Sequence, residues 1–239
     1  MEQEFANKVV VVAGGVGELG GPVTNGFVAR GAQVTVPFIS EMKLATFMSE
    51  YPLTATAVRF QRVDLANERM VEKFAKDLRR RVGTVEILVN LTGGFESGHV
   101  IAESEPSEFE QMLSVNFTSI YLLTRRIVPM MTEQRSGKIV NVASSAALQG
   151  YAGGAAYSIA KSAVVRFTEA LSDEVKHAGI NVNCVLPSLI DTPRNRMDLP
   201  DARHDHWVAP QDLAEVIFFL VSERARAIHG AAIPVYGLA

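Results

Sequence analysis

Lys8-Val9-Val10-Val11-Val12-Ala13-Gly14-Gly15-Val16-Gly17-Glu18-Leu19-Gly20 is the stretch that decides the fold. A continuous β-branched run stopped by two glycines reads as a strand buried on both faces, the kind found in parallel sheets. Beyond the glycines, Val23, Phe27 and Val28 recur at helical spacing until Gly31 closes the segment. Strand, glycine-rich turn and helix form the first half of a dinucleotide-binding unit. The glycines let the backbone turn tightly and approach a pyrophosphate, which rests on the helix N-terminus. Gly15, Gly17 and Gly20 fit G-x-G-x-x-G, and Gly14, Gly17 and Gly20 fit G-x-x-G-x-x-G.

Outward from this unit, strand and helix alternate to the end of the chain. Further strands are predicted over 34–38, 56–63, 85–90, 138–142, 181–186 and 232–235. Helices are predicted over 41–51, stopped by Pro52, and over 67–81 and 210–220. A long helix is predicted from 106 to 131 through Asn116, and another runs on from Tyr157 until Gly179 ends it. The alternation, with no linker or low-complexity stretch, predicts an α/β fold: one doubly wound, Rossmann-type domain over residues 1–239, with a seven-stranded parallel sheet flanked by helices. In such a sheet ligands bind beyond the carboxyl ends of the strands. The glycine turn, Asp64, Asn90, Ser144 and Pro187-Ser188 all fall there.

The chain has 239 residues, 48% of them apolar, so a large core is available, and its net charge of −3 comes without a long charge run. Binding to nucleic acid or an anionic membrane through a basic face is not expected. Cys184 is the single cysteine, in an apolar run that reads as inert core, so an internal disulfide is excluded and a reducing compartment fits. Glu2 and Glu4 at the start, and an apolar run too short for a signal segment or a membrane span, predict a cytoplasmic protein. No His, Cys and acid cluster has metal spacing, and His204 and His206 read as solvated loop residues.

The chemistry concentrates in 144–161. Tyr157 and Lys161 stand four residues apart at the mouth of a helix marked by Val164, Phe167, Leu171 and Val175, so they share one face. An ammonium beside a phenol favours the phenolate and lowers a pKa that is ordinarily about 10. A phenol so tuned passes protons to or from a substrate oxygen near neutral pH. Ser144 and Ser145 are both candidates to hold that oxygen.

With these residues assembled, the chain resembles the short-chain dehydrogenase/reductase family over essentially its whole length. Asp64-Leu65 resembles the family's adenine-contacting acid, and Asn90-Leu91-Thr92-Gly93 its N-N-A-G. Asn116 falls where the family keeps an Asn in its central helix. Ser144 precedes Tyr157 by the family's spacing of thirteen residues, Tyr157-x-x-x-Lys161 matches the signature pair, and Pro187 and Thr192 resemble P-G-x-x-x-T. The resemblance implies an NAD(P)-dependent oxidoreductase interconverting a carbonyl and a secondary alcohol. Tyr157 would be the general acid or base, and Lys161 would tune it and hold the cofactor ribose. Ser144 would hold the substrate oxygen, and Asn116 a helix distortion with a proton-relay water. Cofactor contacts would come from Gly14, Gly17, Leu19, Gly20, Phe38, Asp64, Leu65, Asn90, Leu91, Thr92, Gly93, Tyr157, Lys161, Pro187, Ile190 and Thr192. Two alternatives stay open: a cofactor-binding regulator with vestigial catalytic residues, and an epimerase or dehydratase using the same site.

Several positions depart from the family pattern. Glu18 stands where its commoner glycine motif has Gly, Ala13 replaces Thr, Leu91-Thr92 replaces N-A, and Ser188 replaces Gly. A carboxylate near a pyrophosphate repels it, so Glu18 is expected to point outward. The second strand ends in Phe38 with neither an acid for ribose hydroxyls nor a following Arg, and Lys43 is the nearest cation; the balance tips to NADP over NAD. Residues 193–208 form a short, charged substrate loop with arginines able to meet an anionic substrate. Family members commonly pair through the central helix and the helix after Tyr157. Ile120, Leu123, Ile127, Val164, Phe167 and Leu171 are the candidate apolar face of a homo-oligomer, dimer or tetramer.

Overall fold

In the computed structural model, which describes residues 3–95 and 99–238, β1 (Val9–Ala13) lies inside one sheet of seven strands, all parallel. Glu2 lies outside the described residues. The other strands are β2 (Gln33–Phe38), β3 (Arg59–Arg62), β4 (Ile87–Asn90), β5 (Gly137–Val142), β6 (Ile180–Pro187) and β7 (Ala232–Val235), in the order β3-β2-β1-β4-β5-β6-β7. The order reverses between β1 and β4, which puts the ligand crevice of a doubly wound sheet over their carboxyl ends. The rims are short strands, Arg-Phe-Gln-Arg at β3 and Ala-Ile-Pro-Val at β7.

The valine run of β1 explains itself by alternation. Val10 and Val12 pack into one core layer with Val23, Phe27 and Phe218, while Val9 and Val11 pack into the other with Phe74, Leu78 and Ile127. The first layer is roofed by α1 (Gly20–Ala29) and α9 (Pro210–Val221), the second by α4 (Glu68–Val82), α6 (Ser119–Gln134) and α7 (Ala155–Val175). A strand sandwiched in this way has no polar face to show, so its sequence cannot alternate. Cys184 is fully buried, as its apolar neighbours predict, and burial pushes its thiol up to about 11.

The structure corrects several boundaries. Pro52 does not simply end α2 (Glu41–Glu50); it opens α3 (Pro52–Ala57), so Thr56 and Ala57 are helical and β3 begins only at Arg59. Proline at a first helical position loses no hydrogen bond, and buried Thr54 pins the turn by donating to Asn25 Oδ1. The fourth strand starts at Ile87, and Glu86 just before it also accepts the Val9 N–H on its carboxylate at 2.8 Å. The long central helix is three pieces: α5 (Pro106–Leu113), a π-helical turn Ser114–Thr118, and α6. The segment 193–208 is not all loop, since α8 (Pro193–Asp198) opens it, capped by Thr192 Oγ1 accepting from Asn195 N at 3.2 Å.

The expected apolar face is largely inward. Ile120, Leu123, Ile127, Val164 and Leu171 are buried in the core, and only Phe167 of that set reaches partly to solvent. It meets Phe117 and Tyr121 there, with ring centroids 5.9 and 6.0 Å away. Among the described residues, no helix is long and apolar enough to cross a membrane.

Candidate active site

The crevice floor begins at the glycine turn. Gly14 has φ +79°, and a Cβ there would sit 3.0 Å from the Leu91 carbonyl carbon and the Thr92 nitrogen; at Gly20 a Cβ would run into the Gly14 carbonyl. Any other residue would fill the gap between turn and helix, so the turn survives only with these glycines. Leu19 precedes α1 with no side-chain cap. The main chain at this end is therefore the available partner for a ligand's anionic group.

Across the switch point stand Tyr157 and Lys161, one turn apart on α7, as their spacing predicts. Lys161 is 4% exposed; its Nζ donates to the Val142 carbonyl at 3.1 Å and lies 5.7 Å from the centre of the Tyr157 ring. Burial pulls its pKa down to about 8. The expected lowering of the phenol is not what the structure gives. Burial raises the Tyr157 pKa, the Ser144 hydroxyl offsets part of that, and nearby Tyr151 adds to the rise. The physical reason is desolvation, which penalises the phenolate more than the Ser144 hydroxyl supports it. Ser144 sits in extended backbone with its Oγ also accepting from Ala146 N at 3.2 Å, and Ser145 begins the short turn Ser145–Ala147.

Asn116 lies in the π-helical turn, fully buried. Its Oδ1 accepts from Gly94 N at 3.2 Å, and its Nδ2 donates to Gly94 O at 3.0 Å and Met112 O at 3.1 Å. The widened turn aims this amide at the loop after β4, which a regular helix would not do. A Cβ on Gly93 would stand 2.8 Å from Asn116 Oδ1 and 3.1 Å from Lys161 Nζ, so this glycine keeps open the space beside the buried amine.

The remaining predicted positions divide by what their side chains do. Asn90 faces inward, donating to Asn141 Oδ1 at 2.8 Å and Thr124 Oγ1 at 3.1 Å, which leaves only its main chain for the crevice. Asp64 Oδ1 accepts from Ala66 N at 2.9 Å, Leu65 is buried, and Phe38 packs edge-on against Phe60. Leu91 packs on the core and Thr92 Oγ1 accepts from Ser119 at 3.3 Å. Pro187 ends β6, Ile190 bridges to Val208, and Thr192 caps α8.

Three contacts had no signal in the sequence. Phe95 stands edge-on to Tyr157, with centroids 5.1 Å apart. Arg62 is the register partner of Phe38 and adds a cation at the end of β2 that no local pattern reveals. Glu18 is exposed, as expected, but not free: its Oε1 accepts from the Arg194 main-chain N–H at 3.2 Å. Among the described residues there is no group of three or more His, Cys, Asp or Glu placed to hold a metal.

A doubly wound sheet thus carries a glycine turn at its switch point and, opposite it, a half-buried tyrosine one turn from a buried lysine. The family pattern described as short chain dehydrogenase matches residues 8–202. A 3-oxoacyl-[acyl-carrier-protein] reductase from Chlamydia muridarum is 30% identical, covering 99% of each chain. A 2-(R)-hydroxypropyl-CoM dehydrogenase from Xanthobacter autotrophicus is 31% identical, covering 97% of this chain and 98% of its own. The solved structure of a levodione reductase superposes with a TM-score of 0.87 at 25% identity, covering 98% of this chain and 97% of that one. The chain belongs to the short-chain dehydrogenase family, and is an oxidoreductase working between CH–OH and C=O groups.

Proposed function

We propose that the protein is an NAD(P)-dependent carbonyl reductase/alcohol dehydrogenase in which Tyr157 moves the proton. The observation that carries this reading is the Lys161 amine, 4% exposed and, among the described residues, with the Val142 carbonyl as its one acceptor. Burying an ammonium without a carboxylate is costly, and a ligand's hydroxyls beside Gly93 would supply the missing acceptors. The cofactor fits the residues present: Gly14 and Gly20 form a cradle that any Cβ would fill. Main-chain groups from Gly14, Gly17, Leu19 and Gly20 would meet the pyrophosphate. Phe38, Asp64 and Leu65 would flank the adenosine, 90–93 the ribose beyond it, and Pro187, Ile190 and Thr192 the nicotinamide end. When bound, NAD(P) supplies or accepts the hydride. Arg62 beside Phe38 favours a 2′-phosphate and hence NADP, its only ion-pair partner among the described residues being Glu41 at a loose 3.9 Å.

In reduction, Tyr157 gives its phenolic proton to the substrate oxygen while Ser144 donates a hydrogen bond to the same oxygen. A phenol held above its ordinary pKa by burial is protonated throughout the neutral range, the state from which it can give a proton to a carbonyl oxygen. Lys161 returns the proton, with Asn116 fixing the loop at Gly94 beside it. The whole chain serves as one catalytic unit, with residues 193–208 over the substrate and Phe117, Tyr121 and Phe167 as the contact to a second copy.

The test is a panel of carbonyls and secondary alcohols followed by nicotinamide absorbance. Stoichiometric turnover is expected, with Tyr157→Phe folded and its kcat reduced by roughly two orders of magnitude or more. Cofactor binding with no turnover on any pairing would favour a regulator instead, and near-normal turnover by Tyr157→Phe would sink the proton assignment.

A further inference from the structure

We propose that Glu18 is an internal competitor of the cofactor: its carboxylate straps the glycine turn to the start of α8, across the path the pyrophosphate must take. The inference rests on the cofactor reading above.

Three observations meet at this residue. Glu18 is exposed and immediately precedes Leu19, the residue that leads into α1, so its charge sits in the turn whose main chain is open to an anion. Its Oε1 accepts the Arg194 N–H at 3.2 Å, joining segments that follow β1 and β6. Arg194 lies two residues beyond Thr192, so the strap spans the same gap that a dinucleotide bridges between Phe38 and Thr192. Nor is the charge neutralised nearby. The Arg194 guanidinium turns to Asp198 at 3.2 Å, Arg196 binds Asp191, and among the described residues no cation pairs with Glu18. A carboxylate in this place must release its N–H partner and swing away before two phosphates settle beside it. Both the lost contact and the like-charge repulsion weaken binding. A glutamine here would keep an acceptor for the Arg194 N–H without the charge, and a glycine would impose neither.

The experiment is calorimetric titration of NADPH and NADH into the wild type, Glu18→Gln and Glu18→Gly at low salt. Both substitutions fall on an exposed side chain, and thermal unfolding checks that each protein is folded. A fall in Kd of about tenfold or more is expected in both variants, equivalent to about 1.4 kcal/mol, with the gain shrinking as salt screens the charge. Adenosine, which carries no phosphate, should bind all three proteins alike. Unchanged or weaker dinucleotide binding in both variants, while the wild type binds, overturns the competitor role and leaves the cofactor reading standing. Absence of binding in all three proteins overturns both.

Discussion

Lys161 holds a charge in a place that disfavours charge. Its pKa falls from an ordinary 10.5 to about 8 through burial. Below about pH 8 the amine is protonated in the folded and unfolded chains alike, and the folded state carries the burial cost in full. Between about 8 and 10.5 only the unfolded chain keeps the proton, so stability rises with pH across that window. Lys161→Met removes the cost. It should stabilise the protein at pH 7 by on the order of 2 kcal/mol, after the loss of the Val142 hydrogen bond, raising Tm by roughly 4–8 °C. The advantage should fade toward pH 10, and a Tm that falls or stays flat at pH 7 would refute this account. Turnover should be lost in the same variant, since stability and chemistry make opposite demands here.

At the scale of elements, the π-helical turn does the positioning. Asn116→Ala deletes three hydrogen bonds to main-chain atoms and leaves the Gly94 N–H and carbonyl to water. A loss of about 2 kcal/mol in denaturant unfolding is expected, with kcat reduced more than KM is raised; unchanged stability would remove Asn116 from its structural role. Much of this scale was legible in the sequence. Strands buried on both faces must be runs of apolar residues, and glycines and prolines mark where they stop, so all seven strands and the Tyr157 helix were readable from 1–239. Pro52 misled because a proline that ends one helix also begins another well, and what decided the matter was Thr54 reaching Asn25. The Glu18–Arg194 contact joins residues 176 positions apart, and Arg62 meets Phe38 only through strand register. Such pairings have no spacing to read. Asn90 was visible as a polar residue at a strand end, but not that its side chain turns down to Asn141 and Thr124.

On the scale of the whole molecule, the outward aromatic set on the π-helical turn, α6 and α7 is the contact surface to test. Tyr121 is 42% exposed between Phe117 and Phe167, an unusual grouping for a face left to water. Tyr121→Glu should lower the mass found by light scattering at micromolar concentration, while a wild type that is already monomeric would end the idea of assembly. The rims of the sheet carry a different message. An open strand edge invites another chain to lengthen the sheet, and the run of valines behind it would make such growth cohesive. Here the β3 edge is lined by Arg59, Gln61 and Arg62, whose solvated charges repel a second copy. The β7 edge contains Pro234, opposite Leu186 in register, and proline at a rim turns its donorless nitrogen to the open side. In a polypeptide this rich in β-branched sequence, both ends of the sheet are thus built against a further strand and so against growth into fibres.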